Sequence, residues 1–222
     1  MNGLRYLSAI AAFVATAAHA ICPHPTPKVC AKFFESDVVF LGKVTALDSV
    51  VDVGGDVNWL RYTTQVKEVY RGQPKKLEHV RTENASARWN AEVGKTYLVF
   101  ASRGEVGATC GPLDEPEYAQ EAIRQIHAFR NVSHATIEGE VLRQGATGAL
   151  EQAVEGIRVK VSGTGGEYES VTDRNGLFTF TLRPGHYRID SKDLHPTDYS
   201  RQDLDDINLV KGQCAQYELT TK

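Results

Sequence analysis

The chain has 222 residues, of which 41% are hydrophobic and 24% are charged, and its formal net charge at pH 7 is −3. This slightly acidic balance, without a cluster of Lys or Arg, gives no electrostatic basis for binding nucleic acid or an anionic membrane surface. After residue 20 no stretch is apolar enough to cross a bilayer, so we expect no membrane insertion.

The N-terminal segment has the pattern of a cleavable secretory signal peptide. Arg5 supplies a positive charge, residues 7–18 are almost wholly apolar or small, and Ala18 and Ala20 occupy the positions that signal peptidase reads. The apolar run is shorter than the roughly 20 residues that span a membrane. We therefore expect cleavage after Ala20 and a secreted or periplasmic protein that begins at Ile21.

The cysteines support an oxidising compartment. All of them follow the expected cleavage site: Cys22, Cys30, Cys110 and Cys214. An even number of cysteines behind a signal peptide is typical of disulfide bonds. Four cysteines allow three pairings, and the residues alone do not choose among them.

The first half predicts strands followed by one helix. Residues 38–44 form a β-branched run, apolar and polar residues alternate between 60 and 66, and 77–82 and 96–101 predict two more strands. From Pro116 to Arg130 the apolar residues recur with a helical period, and Pro116 suits a first turn. This packing helix is expected to close a first domain at residue 131.

The second half predicts short strands without a helix. Apolar residues alternate in about seven segments between 135 and 222, which is typical of a small β-sandwich. We expect these strands at 137–141, 157–161, 168–171, 178–182, 187–189, 207–209 and 217–219. The sequence thus predicts a mainly β protein with a signal peptide (1–20) and two domains (21–131 and 135–222).

Five segments of the first half occur in the order found in one known superfamily. They are Cys22 to Cys30, Ser36 to Val44, Glu68 to Gly72, Gly94 to Phe100 and Thr109 to Gly111. Over residues 21–130 the chain resembles the netrin-like, tissue-inhibitor-of-metalloproteinases (TIMP) superfamily. The resemblance implies an OB-type five-stranded barrel with a C-terminal packing helix. It also implies a disulfide between Cys22 and Cys110, which leaves Cys30 and Cys214 to form the second disulfide.

The second half carries a longer phrase of alternating residues and turns. The phrase runs Ile137-x-Gly139-x-Val141, Gly156-Ile157-x-Val159-x-Val161, Thr172-Asp173-x-x-Gly176-x-Phe178-x-Phe180 and Leu182-x-Pro184-Gly185-x-Tyr187-x-Ile189. It resembles a carboxypeptidase regulatory-like domain, a transthyretin-like seven-stranded β-sandwich that is also grouped with carbohydrate-binding-like (starch-binding-like) folds. Asp173 is expected to cap its turn, and Gly176 to adopt positive φ there.

The TIMP resemblance implies inhibition of zinc proteases through the free amine and carbonyl of an N-terminal cysteine. Here Ile21 precedes Cys22, so the α-amine lies one residue too far along the chain. Metalloprotease inhibition is therefore the disfavoured alternative.

The sequence offers no catalytic residue, no metal ligand set and no cofactor motif. The histidines lack metal-ligand spacing, and there is no nucleophile elbow or phosphate-binding glycine loop. Acidic residues between 190 and 206 suit a solvated loop better than a calcium site.

Aromatic residues in or beside predicted loops remain as candidates for ligand contact: Trp59, Trp89, Tyr168 and Tyr199. Such rings stack on sugars or anchor a protein partner, and the alternative is packing in the core or at its rim. The sequence therefore predicts an exported, non-enzymatic binding or scaffold protein with two β interaction modules for a protein or glycan. Carbohydrate binding through the sandwich is the alternative to a purely protein-binding role.

Overall fold

The computed structural model describes residues 27–51, 54–85, 88–107, 116–145, 150–190, 194–197 and 203–221. These ranges contain two α-helices and thirteen strands, so the prediction of a mainly β protein is confirmed. The expected signal peptide, Cys22, Cys110 and Tyr199 lie outside the described residues. No helix within the described ranges is long and apolar enough to cross a membrane.

The first half forms one antiparallel sheet in the order β3-β2-β1-β4. Its strands are β1 (Val38–Val51), β2 (Val57–Arg71), β3 (Leu77–Glu83) and β4 (Thr96–Ala101). Each was predicted, but β1 and β2 run to 14 and 15 residues and are longer than expected. Irregularities in the β1–β2 register curl the sheet into a half-barrel, because bulges increase local twist.

Where β1 pairs with β4, both faces of this sheet are buried. One face packs Val39 and Phe100 against the helices α1 (Val29–Glu35) and α2 (Ala119–Phe129). The other face contributes Phe40 and Tyr97 to a separate cluster. Burial on both faces explains the continuous apolar sequence of β4, in which residues 97–101 are all buried.

The predicted packing helix is present. A 3-10 turn (Pro116–Tyr118) leads into α2, which buries Ala119, Ala122 and Ile126. Helix α1 was not predicted, because its seven residues are too few to display a helical period. It is held by packing, since the rings of Phe33 on α1 and Phe129 on α2 lie 5.2 Å apart.

The second half forms two sheets that enclose one core. One contains β5 (Ala135–Gln144), β6 (Leu150–Ala153), β9 (Leu177–Leu182), β11 (His195–Pro196) and β13 (Cys214–Thr221), and the other contains β7 (Arg158–Gly163), β8 (Gly166–Val171), β10 (Gly185–Ile189) and β12 (Ile207–Leu209). Their orders are β11-β13-β5-β6, with β9 also on β5, and β12-β10-β7-β8. Strands β5 and β13 are parallel neighbours. The arrangement is sandwich-like.

The described part of this half has nine strands, so the prediction of seven missed two. β6 lacks the β-branched alternation that predicts a strand, and β11 has only two residues, one of them Pro196. The turn before β9 is confirmed: Asp173 Oδ1 accepts hydrogen bonds from the backbone N–H groups of Asn175 (2.8 Å) and Leu177 (2.9 Å). Gly176 has φ +72° there.

A covalent bond joins the N-terminal helix to the last strand. Cys30 on α1 and Cys214 on β13 form a disulfide with a Cα–Cα distance of 5.5 Å, which confirms that pairing. Beside it, the Lys28 backbone N–H donates to Gln216 Oε1 (2.7 Å), and Lys28 Nζ lies 2.5 Å from Glu138 Oε2 on β5. The first-half sheet and the sandwich-like half are therefore fastened together at α1.

Candidate functional site

Trp59 lies on the outward face of the first-half sheet. It is half-buried and sits on β2, between Val50 of β1 and Glu83 of β3 in the strand register. Val50 is 37% exposed, so an apolar side chain accompanies the ring at the surface. The indole is therefore held on a strand within a sheet, where the sequence predicted a position in or beside a loop.

Arg81 fixes the position of the Trp59 ring. Its guanidinium carbon lies 4.7 Å from the ring centroid, a cation–π distance, and its Nη2 lies 2.5 Å from Glu105 Oε1. The backbone of Arg81 is also held, because its N–H donates to Gly104 O (2.9 Å) and its carbonyl accepts from Val106 N–H (2.8 Å). Val50, Trp59, Arg81, Glu83 and Glu105 are called the Trp59 face below.

A small cleft of about 120 Å³ lies along the Trp59 face. It is lined by Trp59, Thr82, Glu83, Ala85, Arg88, Glu105, Val106 and Gly107. The lining combines an aromatic ring with charges of both signs. Such a cleft fits a side chain of a partner better than a whole small molecule, whose pockets measure about 300 Å³ or more.

The end of the β1–β2 hairpin exposes further apolar side chains. Leu47 is 44%, Val51 54% and Val57 37% exposed, whereas β1 is buried or half-buried from Val38 to Val44. The change occurs where β1 leaves β4, since their last paired residues are Lys43 and Thr96. Contiguous exposed apolar residues mark interaction surfaces on soluble proteins.

Trp89 is not a surface contact. It is only 2% exposed, and its ring lies 4.9 Å from that of Tyr62 and 5.4 Å from that of Tyr97. The Tyr62 hydroxyl donates to the Trp89 carbonyl oxygen (2.8 Å), and burial raises the pKa of that hydroxyl, which keeps it protonated as a donor. The expectation that Trp89 contacts a ligand is wrong, because its ring is buried and forms part of the core.

Tyr168 faces the core of the sandwich-like half. It pairs with the buried Val161, and its ring lies 6.3 Å from that of Tyr187. The Tyr168 hydroxyl donates to Thr164 O (3.2 Å), and the Tyr187 hydroxyl lies 3.0 Å from the same oxygen. Burial is the main cause that raises the pKa of Tyr187, and the neighbouring Tyr168 is a smaller cause in the same direction. Tyr168 therefore packs at the core rim, and Tyr199 lies outside the described residues.

The outer face of the sheet β12-β10-β7-β8 carries a second concave surface, a polar groove of about 540 Å³. It is lined by Lys160, Val161, Ser162, Glu167, Tyr168, Glu169, Arg188, Ile189, Asp190 and Asp205. Two groove residues have polar partners: Glu169 Oε1 lies 3.0 Å from Nε of Arg158 beside the groove, and Arg188 Nε donates to Ser162 Oγ (2.8 Å). This surface is mainly polar.

Across the part of the chain that the structure describes, no group of three or more His, Cys, Asp or Glu residues is placed to hold a metal ion. Two described acidic residues of the segment that could gather calcium make other contacts. Asp203 Oδ1 accepts from the Asp205 N–H (2.8 Å), and Asp206 Oδ1 lies 3.3 Å from His186 Nδ1. The inhibitor hypothesis concerns Cys22, which the described ranges do not include, and it stays a prediction.

No protein-family model and no curated protein matches the chain. Among solved structures it is similar to a streptococcal ancillary pilin, with 12% identity and a TM-score of 0.27 over 73% of this chain. The match spans about half (50%) of that pilin. The chain is also similar to the major pilin from Streptococcus pyogenes (E117A mutant), with 11% identity and a TM-score of 0.15 over 87% of this chain and 94% of that one. Scores this low inform neither fold nor function.

Proposed function

We propose that this protein is an exported, non-enzymatic binding and scaffold protein whose Trp59 face binds a protein partner. Its two β modules, 21–131 and 135–222, correspond to an OB-type barrel with a packing helix and to a carboxypeptidase regulatory-like sandwich. The two sequence resemblances support these modules, and the Trp59 face is the observation that carries the binding role.

The composition of the Trp59 face matches that of protein-binding hot spots. Trp and Arg are enriched at such sites, where a few well-packed residues carry most of the binding energy. Here the Arg81 guanidinium packs on the ring of Trp59, and Glu105 holds Arg81 in place. The ring is thus oriented before any partner arrives, which lowers the entropy lost on binding.

The scaffold role follows from the fastening of the two halves. Cys30 and Cys214 are separated by 184 residues in sequence, and their bond ties the first helix to the last strand. Disulfides persist in oxidising compartments, which supports export. Lys28 adds two hydrogen bonds at the same place, to Gln216 and to Glu138. A binding surface on one half therefore belongs to a single crosslinked unit that also contains the other half.

Site-specific photo-crosslinking tests the proposal. A photoreactive amino acid replaces the exposed Glu83, which borders the cleft, in the full chain exported by its native cells. We expect one crosslinked product containing a second protein. Trp59→Ala is expected to abolish it, whereas Trp59→Phe, which keeps an aromatic ring, is expected to retain it.

The matched control for folding is the Cys30–Cys214 disulfide, read by non-reducing electrophoresis together with the melting temperature of each variant. A crosslinked product that Trp59→Ala leaves unchanged would contradict the proposal. So would the absence of any product containing a different protein.

A further inference from the structure

The outer half of β1 has an unpaired edge. Residues Thr45–Val51 pair with β2 on one side, and within the described ranges no strand covers the other side. This segment, called the open edge below, carries one charged side chain, Asp48, and exposed Leu47, Val50 and Val51. An exposed apolar edge strand is a template for pairing with another chain.

The register shows which backbone groups the open edge offers. Val44 turns its N–H and C=O toward the β4 side, where they bond Lys95 O (2.9 Å) and Gly94 N–H (2.8 Å), and its side chain is buried. A bulge at Thr45 shifts the alternation by one residue. Residues of a strand that share a face also turn their N–H and C=O to the same edge.

Leu47 and Ser49 lie opposite Tyr62 and Leu60, which belong to the buried face. They therefore repeat the orientation of Val44, and Val51 continues the alternation. Leu47, Ser49 and Val51 each direct one donor and one acceptor to the open edge. Backbone groups of this kind are satisfied by water or by another extended backbone.

Three other described edges, those of β8, β3 and β12, are less suited to pairing. β8 carries Glu167 and Glu169, and charged side chains discourage edge pairing. The free side of β3 is occupied at Arg81 by residues 104–106. The open edge of β1 is longer than the three-residue β12 and far less charged than β8.

We propose that the open edges of two copies of this chain pair antiparallel about a two-fold axis at Ser49. In this register Leu47 faces Val51 of the second copy, and Ser49 faces its own equivalent. Like charges directly opposite each other destabilise a strand pair. Here Asp48 faces Val50, so this repulsion is absent. Two copies with three such residues each supply six donors and six acceptors, which form six hydrogen bonds. Strands β3, β2 and β1 of both copies become one continuous sheet.

This dimer goes beyond the proposed function and does not depend on it. The Trp59 face lies on the outward surface of the sheet, so pairing at the edge leaves Trp59 exposed. The dimer presents two such faces on one sheet. A partner with two matching sites would then bind more tightly by avidity than either face alone allows.

A charge exchange at Ser49 tests the register. Ser49 is exposed, so Ser49→Lys and Ser49→Glu are expected to fold. Each variant alone places like charges opposite each other and should sediment as a monomer where the wild-type chain sediments as a dimer. An equimolar mixture places Lys opposite Glu and should restore the dimer. Analytical ultracentrifugation over a micromolar concentration series measures this directly.

A second pair of variants tests the backbone contact. Ser49→Pro removes the N–H at the axis and should weaken dimerisation at least about 10-fold, whereas Ser49→Ala keeps the N–H and should dimerise as wild type does. A wild-type chain that stays monomeric at every concentration would overturn the inference. So would a mixture of Lys and Glu variants that stays monomeric, or single variants that both dimerise. Trp59→Ala should leave the dimer intact, so the two proposals fail separately.

Discussion

The two outward sheet faces of this protein differ in how their polar groups are used. On the sandwich-like half, two charged side chains of the polar groove have polar partners: Glu169 pairs with Arg158 beside the groove, and Arg188 donates to Ser162. On the first-half sheet, Arg81 pairs with Glu105 and also stacks on Trp59 beside exposed Val50. Charged side chains are paired on both faces, so what distinguishes the first-half face is an oriented aromatic ring with an exposed apolar neighbour, which can contact a partner.

The same contrast appears in strand pattern. β9 alternates strictly between exposed and buried residues, which fits a sheet with one face in the core and one in water. β1 is buried or half-buried up to Val44 and then exposed at nearly every position, apolar residues included. The break in pattern within a single strand marks the place where β1 extends beyond β4 while it stays paired with β2.

The largest expected effect separates the two tryptophans. Trp89→Ala should lower the free energy of unfolding by about 3–5 kcal/mol, because it leaves a cavity against Tyr62 and Tyr97. Trp59→Ala should cost only about 1 kcal/mol, since Trp59 is half-buried. Urea denaturation followed by circular dichroism measures both. Equal losses in the free energy of unfolding would contradict the assignment of Trp89 to the core and Trp59 to the surface.

The next effect concerns the bond between the halves. Replacing Cys30 and Cys214 together by Ser should lower stability by about 2–4 kcal/mol, because the crosslink restrains the unfolded chain. Lys28→Ala, at the same junction, should cost about 1 kcal/mol or less, since the Lys28 side chain is 56% exposed. Thermal unfolding under non-reducing conditions gives the comparison. A double Ser variant as stable as wild type would mean that packing alone fastens the halves.

The smallest of these effects tests the turn before β9. Asp173→Ala removes the acceptor of two backbone N–H groups and should cost about 1 kcal/mol. Arg174→Ala is the matched control, because its side chain is exposed, and should change stability by less than about 0.5 kcal/mol. Chemical denaturation of both variants resolves the difference. Equal values would show that Asp173 does not hold the turn.

Much of the fold was predictable because it depends on local pattern. Local pattern located eleven of the thirteen described strands, although β1 and β2 are longer than predicted, the helical period located α2, and the Asp173 turn was expected from its Asp and Gly. The Cys30–Cys214 pairing came from the family resemblance and is present. Local pattern did not predict the strands β6 and β11, which are strands because they pair with β5 and β13.

The candidate site was less predictable because burial is decided by distant residues. Trp59 and Trp89 each lie beside polar residues in sequence, and only the rings of Tyr62 and Tyr97 make Trp89 a core residue. The open edge likewise depends on where β4 begins, just after the turn through Lys95. Neither fact is contained in the sequence around the residue concerned.

A paired photo-crosslinking experiment tests the central claim most directly. The photoreactive group is placed at Glu83 on the Trp59 face or at Glu167 in the polar groove, both of which are exposed. The proposed function predicts a product with a second protein from position 83 and none from position 167. A product from position 167 in equal or greater yield would contradict it and move the binding surface to the sandwich-like half.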